Sequence, residues 1–316
     1  MKTLINKLFF LAIIFFSLVF TSCKKETKSN ANDSTNTKDA NGISNAVDAT
    51  SDDATAMAGQ VATMAGKTTS ASWYMLCGST TVDTGTGSKI TITYDGTTIC
   101  NGVTRSGNVV VTLATGSATW AQQGAIVNVA INNVKVTDVT SGNSFTLNGT
   151  HTITNETGGL AWQLWWNAAP GTVVKHRDKS SNMTVTFSDG TTGSWNVDRT
   201  RTWSLSNTGN VITFSVSTEA TNNEDSWGTN RYGEQFNTNI ATPISANNSN
   251  SLCWWRPFQG KYVYNVPSRS ATASLTFGTN SSGAVVGTAT TCAPGYYLTY
   301  TLSAYNYNLY LYLPYW

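Results

Sequence analysis

From Ile90 to Leu313 the chain alternates apolar and polar residues in short runs, each cut off by a turn signal. Ile90-Thr-Ile-Thr-Tyr94 alternates and then meets Asp95-Gly96. Val109, Val111 and Leu113 alternate, as do Val127, Val129 and Ile131. Asn132-Asn133 then shifts the phase before Val134 and Val136, which predicts a β-bulge. The theme continues through Phe145 and Leu147, Met183 to Phe187, Ile212 to Val216, Tyr262 and Tyr264, Leu275 and Phe277, and Leu309 to Leu313. Ser141-Gly142-Asn143, Asp189-Gly190 and Asn207-Thr208-Gly209-Asn210 mark turns between the runs. No long helical period competes. Strands at this spacing with polar turns specify an antiparallel all-β domain.

An internal repeat points the same way. Ile90-Thr-Ile-Thr-Tyr-Asp-Gly-Thr-Thr98 is echoed by Met183-Thr-Val-Thr-Phe-Ser-Asp-Gly-Thr-Thr192, and more faintly by Ser274-Leu-Thr-Phe-Gly-Thr-Asn280. Each copy reads as a strand running into a turn. The expected fold is therefore an all-β, antiparallel meander of long strands forming a curled sheet, half-barrel or sandwich over residues 73–316. Eleven Trp, thirteen Tyr and six of the chain's eleven Phe lie in it and can fill its core. Charged residues are 11% of the chain, against about 25% in an average domain. Thr, Ser, Asn and Gly supply the polarity instead, as suits sheet surfaces and turns.

The N-terminus is built differently. Lys2 and Lys7 precede an apolar run, Leu8 to Phe20, too short for an ordinary membrane span, and Thr21-Ser22-Cys23 follows. That layout reads as a secretory signal. Residues 24–72 then contain no aromatic residue. Lys24 to Gly42 is rich in Asn, Ser, Thr, Asp and Lys, a composition that predicts a disordered tether. Within residues 23–72 a short helix is expected over 51–65. Ser51 can cap it, Asp52 and Asp53 favour its N-terminus, and Met57, Val61 and Met64 share one face.

Loss of Lys2 and Lys7 with the signal leaves 17 basic and 17 acidic side chains. A net charge near zero argues against a nucleic-acid partner. Apart from Cys23, the cysteines are Cys77, Cys100, Cys253 and Cys292. An even number in an exported chain reads as two disulfides. Three pairings are possible. Cys77–Cys100 and Cys253–Cys292 are preferred because each closes a short loop within one supersecondary unit. No CxxC or HxxxH spacing supports a metal site, and no cofactor is expected.

Catalytic motifs are absent: there is no GxSxG elbow, HExxH helix or phosphate-binding glycine loop. His151, in an alternating run, reads as a sheet-surface residue, and His176, among charged neighbours, as a solvated loop residue. No catalytic residue is assigned. Trp195, Val197, Arg199, Arg201, Trp203 and Leu205 fall on one face of an extended strand. Two arginines beside two tryptophans could bind an anionic or sugar ligand. The alternative is a partly exposed face whose arginine stems cover apolar surface. Trp165 and Trp166, and Trp254 and Trp255, are further candidates for sugar stacking or partner contact.

Three resemblances add to this reading. Leu18-Val19-Phe20-Thr21-Ser22-Cys23 resembles a bacterial lipobox, which implies cleavage after residue 22 and lipidation at Cys23. Asp33-Ser34-Thr35 resembles the O-glycosylation acceptor of Bacteroidetes, with Ser34 as the acceptor. More broadly, the chain resembles a Flavobacteria-type family of β-rich lipoproteins of that phylum. The carrying residues are Cys23-Lys24-Lys25-Glu26, Ile90 to Tyr94 leading to Cys100, Thr104-Arg-Ser-Gly107, Arg199-Thr-Arg-Thr-Trp203, Gly228-Thr-Asn-Arg-Tyr-Gly233, and Cys253 with Cys292. The resemblance implies an envelope lipoprotein and brings no activity or catalytic residues. The expected function is an outer-membrane-anchored binding or structural module on the periplasmic or cell-surface face. Its expected partners are the membrane, through the lipid, and a glycan or an envelope protein. The alternatives are a lipid or apolar-ligand carrier built on a half-barrel, and a glycan-binding or glycan-processing protein.

Overall fold

The computed structural model describes residues 28–63, 76–83, 89–117, 119–166, 168–218, 223–253, 256–303 and 307–315. One antiparallel sheet of fourteen strands dominates. In chain order they are β1 (Ser79–Asp83), β2 (Lys89–Asp95), β3 (Val103–Leu113), β4 (Ala125–Asp138), β5 (Ser144–Asn155), β6 (Val173–Phe187) and β7 (Thr192–Leu205). There follow β8 (Ile212–Thr218), β9 (Ser226–Thr229), β10 (Gln235–Asn247), β11 (Gln259–Val266), β12 (Ala271–Thr279), β13 (Gly295–Leu302) and β14 (Tyr307–Pro314). Neighbours in sequence are neighbours in the sheet, except where β8 and β9 share one place. β8 pairs with the C-terminal half of β7, β9 with its N-terminal half, and both pair with β10. The all-β meander is as expected from the alternation.

The repeat also has a structural meaning. Each copy ends in a turn closed by one side chain. Asp95 Oδ1 accepts from the backbone of Thr97 and Thr98, Asp189 Oδ1 from Thr191, and Asn280 Oδ1 from Ser282 and Ala284. These are Asx turns, a local alternative to further ladder bonds.

The N-terminal segment corrects the tether expectation. A helix, α1, runs over Lys28–Thr63, so it both lengthens the short 51–65 helix and replaces most of the tether. Asn36, Ala40, Ile43, Val47, Thr50, Ala54 and Met57, spaced alternately four and three, are all buried. That stripe is the face of a helix laid on a surface. Its small residues permit a close approach: a Cβ on Gly42 would stand 3.3 Å from the Phe145 ring, and one on Gly59 3.3 Å from Leu160. The stripe was hard to see because Ala, Thr and Asn carry it.

The sheet curls around α1. Between Asp48 and Asp53, about 8 Å of helix axis, side chains reach Tyr94 on β2, Arg105 on β3, His151 on β5, Asp178 on β6 and Arg199 on β7. A flat sheet would spread β2 to β7 over about 24 Å, twice the diameter of a helix. The curl follows from a row of bulges across neighbouring strands. Register shifts fall between Ser106 and Asn108, Ile131 and Val134, Asn148 and His151, and Ser180 and Met183. The expected bulge at Asn132-Asn133 is thus one member of a fold line. Gly107 shows why the line needs glycine: its φ is +96°, and a Cβ would lie 2.2 Å from the Asn133 carbonyl oxygen. Ile90, Ile92, Val109, Val111, Val127, Val129, Ile131, Leu147, Ile153, Met183 and Val185 form the core beneath the helix.

Candidate functional site

The inward face of β7 is the one the alternation predicted. Trp195, Val197, Arg199, Arg201, Trp203 and Leu205 are all buried. Their surroundings differ from both readings given above: α1 lies over the arginines, and its aspartates take their charge. Arg199 Nη1 donates to both Asp48 oxygens at 3.0 Å and to Ser44, while Nη2 donates to Asp225 at 2.9 Å. Arg201 Nη1 donates to Asp52 at 2.5 Å. Arg105 Nη1 donates to Asp53 at 2.8 Å, and Tyr94 Oη donates to the same carboxylate at 2.7 Å. Arg231, in the β9–β10 turn, grips Asp39 through two bonds of 2.6 and 2.8 Å. Four aspartates of one helix thus meet three arginines of the sheet and one of the β9–β10 turn.

Burial makes these pairs matter. Side chains of Arg199 and Arg201 are 4% and 3% exposed, and Asp225 and Asp178 1% and 0%. Burial works against charge on Arg199, but Asp225 and Asp48 outweigh it and push its pKa up. Arg201 is likewise raised, by Asp52 and Asp178 against burial. For Asp225 the balance falls the other way, with burial raising its pKa against Arg199. An exposed pair of this kind contributes little. Removing one member of a buried pair leaves an uncompensated charge.

Ser51, His151 and Asp178 meet under the helix, and all three are buried. His151 Nδ1 lies 2.7 Å from Asp178 Oδ1 and 3.5 Å from Ser51 Oγ, and Ser51 donates to Asp178 Oδ2. A nucleophilic triad needs aspartate on one ring nitrogen and serine on the other. Here both face Nδ1, and the buried Nε2 has no hydrogen-bond partner. The set holds the helix to β5 and β6 and lacks the geometry of a triad. Burial would push Asp178 up, but His151, Arg201 and Ser51 hold it down at about 2.

Both histidine expectations are corrected. His151 is 2% exposed and faces the helix instead of the outer surface. His176 is also 2% exposed, on β6 rather than in a loop, with its ring 4.9 Å from Trp120 and 5.0 Å from Trp203. Burial, helped by Arg201, lowers its pKa to about 3, so it stays neutral. Alternation told which residues share a face but not which face the helix would cover.

Among the other candidates, Trp165 and Trp166 are 42% and 72% exposed, and with Trp162 they crown a 3-10 turn over Ala161–Trp165. Trp203 is 7% exposed and packs against Phe214 and His176. Cys23, Trp254 and Trp255 lie outside the described residues, as does the side chain of Ser34. Cys77 is bonded to Cys100 and Cys253 to Cys292, as preferred from their spacing. The first ties the start of β1 to the turn after β2, and the second ties the β10–β11 loop to the β12–β13 loop.

Little space remains between helix and sheet. The recess among Asn36, Ala40, Phe187, Trp195 and Phe236 holds about 10 Å³, room for about one water. A larger hollow of about 330 Å³ lies outside, between β8 and β10, lined by Ser217, Thr218, Asn223, Asn239, Ile240 and Pro243. No protein-family model matches this chain, and neither a curated protein nor a solved structure matches it.

Proposed function

We propose that this chain is a non-catalytic, outer-membrane-anchored module of the cell envelope, in which α1 joins the lipid at Cys23 to the β-domain. The observation that carries the reading is the grip of four β-domain arginines on four helix aspartates. Only four residues separate Cys23 from Lys28, five steps and at most about 18 Å of extended chain. An anchor at Cys23 therefore pulls on a helix locked into the sheet rather than on a loose leash. The paired disulfides support an oxidising compartment. The apolar-carrier alternative loses support, because the concave face is filled by the protein's own helix, which packs on the aliphatic core there and pairs its aspartates with Arg105, Arg199 and Arg201. In membrane fractionation, Cys23→Ser should move the protein to the soluble fraction. Retention of the variant in the membrane would sink the anchor.

A second reading, glycan binding, is favoured by the exposed Trp162, Trp165 and Trp166 on one turn. Flat indole faces stack on sugar rings. This turn sits beside Gly59, near the end of α1 opposite Lys28.

A further inference from the structure

The two edges of the sheet are unlike. β1 is short, ends in Asp83, carries a register shift between Ser79 and Thr81, and starts two residues from a disulfide. Short length, charge and a bulge are the usual means by which an edge is kept from pairing with another chain. β14 has none of them. Its eight residues, Tyr-Asn-Leu-Tyr-Leu-Tyr-Leu-Pro, carry no charge, and proline comes only at the end. Its register with β13 runs unbroken from Leu302–Tyr307 to Gly295–Pro314. Among the described residues nothing pairs with its other side. Tyr307, Tyr310 and Leu311 are 43%, 61% and 39% exposed.

We propose that β14 is a self-association edge, pairing antiparallel with β14 of a second copy of this chain. The strand's own pattern argues for that occupant. Leu309, Leu311 and Leu313 share one face, and Tyr310 and Tyr312 the other. A two-fold axis normal to the sheet keeps each face on its own side. Leucines then meet leucines and tyrosines meet tyrosines, the aliphatic and aromatic cross-strand pairs that stabilise sheets. An uncharged strand also meets no like charge when paired with itself. Head-to-tail pairing of β14 on β1 would instead give an open filament, and the guarded β1 opposes it. Two copies thus form one continuous sheet with a closed, isologous contact.

The test is sedimentation velocity on the mature chain carrying Cys23→Ser, across a range of concentrations. A reversible dimer is expected. Leu311→Lys should raise its dissociation constant at least about tenfold, because each lysine would lie at the seam beside its copy. Asn128→Lys, which adds the same charge on the exposed face of β4, should leave the dimer unchanged. Far-UV circular dichroism checks that both variants keep the sheet. A monomer at every concentration, or a Leu311→Lys variant that dimerises like the parent, would overturn the proposal.

Discussion

The sheet buries its inner face in two ways. Under α1, strands β2 to β7 present Arg105, His151, Asp178, Arg199 and Arg201, and almost every charge there has a partner supplied by the helix or the next strand. At the other end, β12, β13 and β14 carry no charged residue at all. Leu298, Phe277 and Tyr296 are the buried apolar side chains of that end. The difference teaches what each region can tolerate. An ionic floor admits one cover, whose carboxylates sit at matching spacing. An apolar end accepts any surface of about the right size. The first therefore specifies the docking of α1, and the second leaves an edge open to another strand.

The comparison breaks most sharply at Arg199. Arg199→Leu strands Asp225, 1% exposed by side chain, and Asp48. A loss of about 3–5 kcal/mol in urea unfolding is expected. The matching change at the uncharged end, Tyr310→Ser, should fall within about 0.5 kcal/mol. Equal costs at the two sites would erase the contrast.

Acid should sharpen it next. His176 has its pKa lowered to about 3 from the usual 6.5, so between those values the unfolded chain binds the extra proton. Stability present above pH 6.5 is lost as pH falls, by about 2 kcal/mol at pH 5. Asp178, held at about 2, continues the loss below 3.8. Asp52, pushed up to about 6, opposes it between 6 and 3.8, but nearly half its side chain is exposed and water weakens its part. His176→Phe should flatten the fall between pH 6.5 and 5 in thermal melts, whereas an unchanged slope would remove His176 from the floor.

The smallest effect belongs to the outer surface. Trp166→Ala, at a site 72% exposed, should leave stability within about 0.5 kcal/mol. Affinity electrophoresis through envelope polysaccharide should show retardation of the parent and its loss in the variant. Equal mobility of the two would end the glycan reading.

Much of the sheet was legible because two-residue alternation survives in β2, β4, β6, β8, β11, β12 and β14, and Asn132-Asn133 betrayed the bulge. The short β9, only Ser226–Thr229, has too few residues to show a period. The part of the helix before Ser51 escaped because its buried stripe uses Asn36, Ala40 and Thr50, whose burial wins little apolar area. Asp39 and Asp48 lie in the stretch that reads as tether, and Asp52 and Asp53 read only as favouring a helix N-terminus. The four-and-three spacing from Asn36 to Met57 was the available signal. The ionic floor could not be read without it: Arg199 and Arg201 were placed on the right face, but only the fold brings Asp48 and Asp52, some 150 residues away in sequence, to meet them.

On this account α1 is a locked part of the fold rather than a tether. Hydrogen exchange of the backbone amides from Ile43 to Met57 tests it most directly. Protection as strong as that of β4 and β6, lost together with theirs on unfolding, is the predicted result. Exchange at the rate of an unstructured chain, with the sheet still protected, would contradict it.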